Sequence, residues 1–254
     1  MDYIIICIFG LLIGSFMNVC IYRIPKGESI AFPPSHCSRC KHTLSPLDLI
    51  PVVSYLFLRG RCRYCKEKIA IRYPLVELMT ALLTLAVYVK YGFDFKTGIY
   101  LMLVYAVIVA SFIDLDHRII PDSVNLFLGI TGFLFLFTGF TVNWKQGLLG
   151  ALIGGGVLLL LGYFALWFLR KEGMGGGDIK LLAACGLYLG MGKTIMALIL
   201  SSYIALISIL LLFLAKRYQK DQYIPFGPFI SAGVIIVVLF YQDIFNTYVK
   251  LLYR

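Results

Sequence analysis

The hydrophobic positions of this chain fall into long runs separated by short polar stretches. A helix that crosses a bilayer needs about 20 mostly apolar residues, and eight runs approach or reach that length. They are 3–22, 74–90, 98–113, 123–140, 147–169, 179–190, 194–215 and 224–242. The pattern therefore predicts an all-α polytopic membrane protein with about eight transmembrane helices.

Two of these runs leave a choice of interpretation. The sixth, 179–190, is short and rich in glycine, so its ends or the span itself are open to another assignment. The first has no positively charged segment before it and no small-residue cleavage site after it, as a signal peptide would. We therefore interpret the first run as a retained membrane span.

Composition and charge agree with a membrane location and suggest an orientation. Hydrophobic residues make up 60% of the 254 positions and charged residues only 14%. Lys and Arg concentrate in cytoplasmic loops, and 17 of the 23 basic residues fall on one side if residue 1 lies outside. The net charge of +10 is then a topology signal and an affinity for anionic membrane lipid, and no nucleic acid partner is expected.

One long polar segment lies between the first two runs. It covers 23–72 and contains four of the seven cysteines. The sequence thus predicts three parts: a first transmembrane helix at 1–22, a cytoplasmic cysteine-rich domain at 23–73 and a seven-helix membrane domain at 74–254. A domain of this size buries little apolar surface, so a metal ion or the membrane surface is expected to stabilise it.

The cysteines of that segment form two CxxC pairs separated by 21 residues. Such pairs are typical of four-cysteine zinc sites, where a complete tetrahedron makes the ion structural. The predicted ligands are Cys37, Cys40, Cys62 and Cys65. His36 and His42 flank the first pair as possible substitutes. Free packed thiols or two redox-active pairs are the alternatives, and a cytoplasmic location argues against permanent disulfides.

Aspartates stand at two places beside apolar runs. Asp114 follows the third run, and Asp178 ends a glycine-rich stretch, 173–177, just before the sixth. Ionisable groups at membrane depth are costly and indicate function. The eight-span topology puts both aspartates at the cytoplasmic face, where they can meet.

A pair of carboxylates has a definite chemistry. Two like charges a few ångströms apart cannot both ionise easily, so the pair shares one proton. The ionised group activates a water while the protonated one polarises a scissile carbonyl. The glycines leave room for a substrate strand in an extended conformation, although close helix packing is an equal explanation of the glycines alone.

Other acidic residues in these regions are expected to serve structure. Asp116 lies about 200° around a continuing helix from Asp114, so only one of the two faces the partner. Asp122 follows a proline at the start of a span, where N-capping is expected. Glu77 is expected to form a structural ion pair with Arg72 or Lys180.

Taken together, the motifs of the chain resemble those of the bacterial type IV prepilin peptidase family over nearly its whole length. They are GSFMNV (14–19), YRIP (22–25), the two CxxC pairs, IPVVSYL (50–56), LRG (58–60), RYPLVE (72–77), DLDHRIIPD (114–122), GMGGGDIK (173–180) and IPFGP (224–228).

That resemblance implies a function. Members of this family cleave the basic leader of type IV prepilins and pseudopilins after a glycine, at the cytoplasmic face of the bacterial inner membrane. They also N-methylate the new N-terminal residue with S-adenosylmethionine. The resemblance places the peptidase dyad on Asp114 and Asp178 and associates the cysteine-rich domain with methylation.

Three other functions stay open at this point. A peptidase without methyltransferase activity would keep the aspartates. A membrane transporter would also place carboxylates and broken helices at membrane depth, but it gives no reason for the cysteine segment. A zinc-bearing assembly scaffold would keep the cysteines and tolerate loss of Asp114 and Asp178.

Overall fold

The computed structural model of the chain describes residues 1–170, 174–216 and 224–252. Within these ranges, the regular structure is helical, apart from two isolated β-bridges. The α-helices are α1 Asp2–Arg23, α2 Val53–Phe57, α3 Arg72–Tyr91, α4 Phe95–His117, α5 Asp122–Leu136, α6 Trp144–Leu169, α7 Gly176–Leu214 and α8 Gly227–Leu252. The predicted all-α architecture is confirmed.

Six of these helices, α1, α3, α4, α6, α7 and α8, are long and apolar enough to cross a membrane. The fourth predicted run, 123–140, is shorter in the structure, because α5 ends at Leu136 after 15 residues. At 1.5 Å per residue, α5 is about 22 Å long, below the roughly 30 Å of a bilayer's hydrocarbon core.

Helix α7 contains the sixth and seventh predicted runs and reverses direction between them. Gly190 interrupts it with φ 74° and ψ 171°, far from helical values. A β-carbon on Gly154 of α6 would lie 2.7 Å from the Leu182 carbonyl oxygen and 3.1 Å from the Thr194 methyl. Twelve residues of continuous helix would separate those two residues by about 18 Å. The chain therefore folds back at Gly190, and its two sides form a pair of helices.

The chain divides into two compact units, Met1–Phe93 and Asp94–Arg254. In the first unit, α1 packs along α3 through two glycines. A β-carbon on Gly10 or Gly14 would lie 2.7 Å from the Cα of Ala81 or Glu77, respectively. Because neither glycine carries a side chain, the two helix backbones approach closely.

The second unit is built from α4 to α8. The first half of α7 runs parallel to α5 and antiparallel to α6, and the closest approach is between Gly150 of α6 and Gly186 of α7, where a β-carbon would lie 2.4 Å from backbone atoms of the other helix. The second half of α7 packs on α8 at Gly233, and α8 also packs on α4. These contacts bring the C-terminal end of α4 close to the N-terminal ends of α7 and α8.

Candidate active site

Asp114 is buried at the end of α4 and receives a backbone hydrogen bond from α8. Asp114 is 3% exposed. The Gly227 N–H donates a hydrogen bond to its Oδ2 over 2.9 Å. Gly227 is the first residue of α8, where N–H groups lack partners within the helix. Asp114 therefore satisfies the N-terminus of a neighbouring helix.

Asp178 lies in the first turn of α7 and is 5% exposed. A negative charge at this position is favourable, because the first turn carries the positive end of the helix dipole. Its Oδ1 is buried and has no hydrogen-bond partner. A buried carboxylate oxygen left unpaired in this way is free to bind a water or a substrate group.

Asp114 and the start of the helix that carries Asp178 both lie beside Ile120. Ile120, in the connection between α4 and α5, lies against the first turns of both α7 and α8. A β-carbon on Gly227 would lie 3.1 Å from its Cδ1, and one on Gly177 would lie 3.0 Å from its Cβ. Glycine at both positions lets the helix starts close around Ile120. The structure thus gathers two carboxylates at two helix N-termini.

The glycine stretch before Asp178 is only partly described, since Gly173 lies outside the described residues. Gly175 is the N-cap of α7, and Gly176 and Gly177 form its first turn. Close packing, one of the two explanations offered for the glycines, is seen at Gly177 against Ile120.

A second candidate site lies in the first unit, where the two CxxC pairs meet. Their sulfur atoms lie within 4.8 Å of one another, and the Cys37 and Cys65 sulfurs are 3.8 Å apart. Ligands at about 2.3 Å from a tetrahedral zinc ion are about 3.8 Å from each other. The four cysteines predicted as ligands are therefore brought together in a geometry that fits a metal ion.

The two CxxC turns share one backbone conformation. Each second cysteine is followed by a lysine with positive φ, Lys41 at 58° and Lys66 at 60°. The N–H of each lysine donates to the carbonyl of the first cysteine of its pair, over 2.9 Å and 3.1 Å. Although burial opposes it, backbone hydrogen bonds from Cys40 and Arg39 lower the pKa of Cys37 to about 7. Its thiol thus forms a thiolate, the metal-binding form, near neutral pH.

Asp48, between the two CxxC pairs, anchors the second CxxC turn. Its side chain is 3% exposed and accepts a 2.6 Å hydrogen bond from the Nε of Arg63, inside the second pair. It also accepts the hydroxyl and N–H of Ser45, over 2.8 Å and 3.1 Å. Burial alone would raise its pKa, but the bonds from Arg63 and Ser45 outweigh burial and lower the pKa. The ionised Asp48 therefore stabilises the folded segment at pH values above the ordinary pKa of an aspartate. This stabilisation is lost as the pH falls through the lowered pKa of Asp48.

The comparisons with known proteins bear on both sites. Residues 8–91 match the Bacterial Peptidase A24 N-terminal domain, and residues 101–211 match the Type IV leader peptidase family. A protein from Aeromonas hydrophila named prepilin leader peptidase/N-methyltransferase is 37% identical, covering 96% of this chain and 92% of its own. The chain belongs to the type IV leader peptidase family.

Other relatives in this family match over a similar share of their length. The prepilin leader peptidase/N-methyltransferase of Pseudomonas aeruginosa is 35% identical over 96% of this chain and 92% of its own. That of Bacillus subtilis is 35% identical over 97% of this chain and 98% of its own. No solved structure matches the chain. Membership of this family identifies the chain as an enzyme, and the six membrane-length helices among its described residues indicate a multi-pass membrane protein.

One role predicted for an acidic residue is wrong, and another acidic residue has partners that were not predicted. Asp122 makes no capping hydrogen bond, because Pro121 occupies the N-cap position of α5, and it pairs with Lys180 over 2.7 Å instead. Glu77 accepts the Val52 N–H over 2.7 Å and a hydrogen bond from Ser15.

No role was predicted for two residues near the aspartates. Gly227 belongs to the motif at 224–228, but nothing in that motif indicates a hydrogen bond to a residue 113 positions earlier. Asn125 donates from its side-chain amide to the Gly177 carbonyl over 3.4 Å. A polar residue at membrane depth was the available signal for Asn125, since such residues are costly unless they serve a partner.

Proposed function

We propose that this leader peptidase is an aspartic endopeptidase that removes the basic leader of type IV prepilins or pseudopilins, with Asp114 and Asp178 as its catalytic residues. The observation that carries the proposal is the pair of buried carboxyls at two helix N-termini, with the Asp178 Oδ1 left without a partner. The names of the relatives supply the substrate class.

The reaction requires one proton shared between the two carboxyl groups. The ionised carboxylate takes a proton from a water as the water oxygen attacks the scissile carbonyl carbon, and the protonated carboxyl gives its proton to the carbonyl oxygen. The resulting diol collapses: one hydroxyl returns a proton to the pair, the C–N bond breaks, and the amine nitrogen takes the remaining proton. The pair ends as it began.

The environment of the two aspartates supports this use. The Gly227 N–H stabilises negative charge on Asp114, and the helix dipole stabilises negative charge on Asp178. Two negative charges on neighbouring carboxyl groups repel each other, which opposes double ionisation of the pair. A pair that holds one proton carries a single negative charge, which these contacts stabilise, and it avoids the repulsion between two charges. By the resemblance, the bond that is cut follows a glycine.

The relatives' names also carry a second activity, that of an N-methyltransferase. By the resemblance, its target is the new N-terminal residue. We extend it to this chain, with S-adenosylmethionine as the methyl donor, and assign no residue to that donor. The resemblance associates the cysteine-rich segment, 23–73, with methylation. Within it, Cys37, Cys40, Cys62 and Cys65 would hold one structural Zn²⁺, whose role is to join the two CxxC turns.

We further propose that the chain resides in the bacterial inner membrane with the aspartates at the cytoplasmic face. The support is the distribution of basic residues, 17 of 23 on the proposed cytoplasmic side. Lys171, Arg217 and Lys220, which contribute to that total, lie outside the described residues.

The test is to incubate the purified protein with a prepilin and weigh the products. Loss of the leader reports proteolysis, and a pilin one methyl group heavier reports transfer. Asp114→Asn and Asp178→Asn should each lower the cleavage rate at least about 100-fold, because Asn cannot carry the proton.

Asp116→Asn is the matched control, since Asp116 lies two residues from Asp114 but is exposed. It should cleave at the normal rate. Near-normal cleavage by either dyad variant would overturn the assignment of the catalytic pair. Cleavage without methyl addition would support the peptidase activity and contradict the methyltransferase activity.

A further inference from the structure

A groove of about 850 Å³ runs along the outside of the second unit, between α5 and the first half of α7. One wall is a face of α5 that includes Leu126, Ile130 and Leu134, which are 63%, 52% and 58% exposed. The other wall is the face of α7 from Lys180 to Leu187. The two helices run parallel, so the groove is straight and open along one side.

The floor of the groove is made of small residues. Gly129 of α5, Ala151 of α6 and Ala183 of α7 line it, and a β-carbon on Gly129 would meet nothing within 4 Å. Small residues let the backbone of another helix approach closely in a membrane. From Asp122 to Leu134, the α5 wall is about 18 Å long, which is the length of about 12 residues of helix.

One end of the groove reaches the proposed catalytic pair. Asn125 lines the groove, is 6% exposed and donates to the carbonyl of Gly177, the residue before Asp178. The Oδ1 of Asn125 is buried and has no partner. Two acceptors without partners, on Asn125 and Asp178, thus stand at the same end of one apolar groove.

We propose that this groove binds an apolar helix of the substrate, the segment that by the resemblance follows the bond that is cut. The apolar walls receive about three turns of that helix, the glycine and alanines admit its backbone, and Asn125 accepts an N–H from the extended segment that leads to the catalytic pair. The proposal rests on the proposed function and specifies which surface of the leader peptidase selects its substrate.

A lipid acyl chain is the competing occupant, and cross-linking separates the two. A photoreactive residue is placed in the groove as Ile130→p-benzoylphenylalanine, in an Asp114→Asn background that holds uncut prepilin. The matched control is Phe127→p-benzoylphenylalanine, because Phe127 is an exposed residue of the same helix that does not line the groove. The Ile130 reporter should cross-link to prepilin and the Phe127 reporter should not. Cross-linking to lipid alone, or equally from both positions, would overturn the proposal.

A kinetic test uses two glycines that both face open space. Gly129→Phe fills the groove, whereas Gly156→Phe adds the same side chain to α6 at a position where a β-carbon also meets nothing within 4 Å. Gly129→Phe should raise KM for membrane-anchored prepilin about tenfold, equivalent to about 1.4 kcal/mol, with kcat little changed. Gly156→Phe should leave KM unchanged.

The outcomes distinguish the groove from the proposed function. Wild-type protein that does not cleave prepilin contradicts the peptidase assignment itself. Cleavage by the wild type, with no Ile130 cross-link and an unchanged KM for a folded Gly129→Phe protein, contradicts only the groove. Cross-linking does not depend on Gly129→Phe folding, so it decides the matter if that variant is unstable.

Discussion

At the scale of single residues, the same side-chain chemistry serves different purposes according to burial. Asp48 and Glu67 each pair with an arginine inside a CxxC turn: Asp48 with Arg63 of the second turn, and Glu67 with Arg39 of the first. Asp48 is 3% exposed at its side chain, whereas Glu67 is 43% exposed. Exposed ion pairs contribute little to stability, because water and salt screen them.

This contrast leads to a prediction about metal retention. The purified protein should contain about one zinc ion, and Asp48→Ala should lose it to a chelator at least about tenfold faster, because the groups that orient a metal site affect its affinity 10- to 100-fold. The measurement is elemental analysis during a timed chelator challenge.

Glu67→Ala is the control and should retain zinc nearly as the wild type does. Equal effects of the two variants would show that burial of Asp48 has no bearing on the site. A wild-type protein that is folded but free of metal would contradict the zinc assignment altogether.

Residue-level partners were the hardest feature to predict from the sequence. The aspartates and the four cysteines could be identified because a charge beside an apolar run and a CxxC spacing are local signals. The Asp122–Lys180 pair and the Val52–Glu77 hydrogen bond join residues 58 and 25 positions apart. Such contacts depend on how helices pack, and no local pattern specifies that.

At the scale of helices, hydropathy located the elements well because the bilayer imposes their length. The break between the sixth and seventh runs was predicted from the pattern and is present at Gly190. The end of α5 was predicted four residues too late, because the residues after Leu136 are still apolar although the helix has stopped. Hydrophobicity reports where a segment prefers to be and does not report where its hydrogen bonds end.

The contact of α6 with the first half of α7 depends on two glycines and can be tested. A β-carbon on Gly186 would lie 2.4 Å from the backbone carbonyl of Gly150, so Gly186→Ala must force the helices apart. Overpacking of this kind costs about 1 to 3 kcal/mol. We expect a clearly lower melting temperature for Gly186→Ala in detergent, measured by the loss of folded protein on heating.

Gly156→Ala provides the comparison, since it adds the same methyl group to α6 where space is open. Its melting temperature should equal or slightly exceed that of the wild type, because alanine favours the helix. If both variants melt alike, the α6–α7 approach is not close enough to matter.

At the scale of the whole molecule, the second unit has two distinct ends. Asp114, Asp178 and Gly227 mark one end, and Asn143, Gly190 and Lys193 line a polar pocket at the other. Lys193 donates to the Tyr100 hydroxyl there over 2.9 Å. The distribution of basic residues predicts that the aspartate end faces the cytoplasm.

Thiol labelling of intact cells tests this orientation. Asn143→Cys should react with an impermeant thiol reagent, whereas Lys216→Cys, just after α7, should be protected until the cells are opened. Both positions are exposed. The parent protein is the control for its own seven cysteines. The reverse labelling pattern would put the proposed catalytic pair on the wrong side for a leader presented from the cytoplasm.

The short length of α5 links the enzyme to the lipid around it. A membrane-facing helix several ångströms shorter than the hydrocarbon core creates a hydrophobic mismatch, which a bilayer relieves by thinning locally. Thinning beside α5 would bring headgroups and water toward the groove and ease the passage of a charged leader to the aspartates. We therefore expect the acyl-chain length of the surrounding lipid to change how readily a substrate is processed.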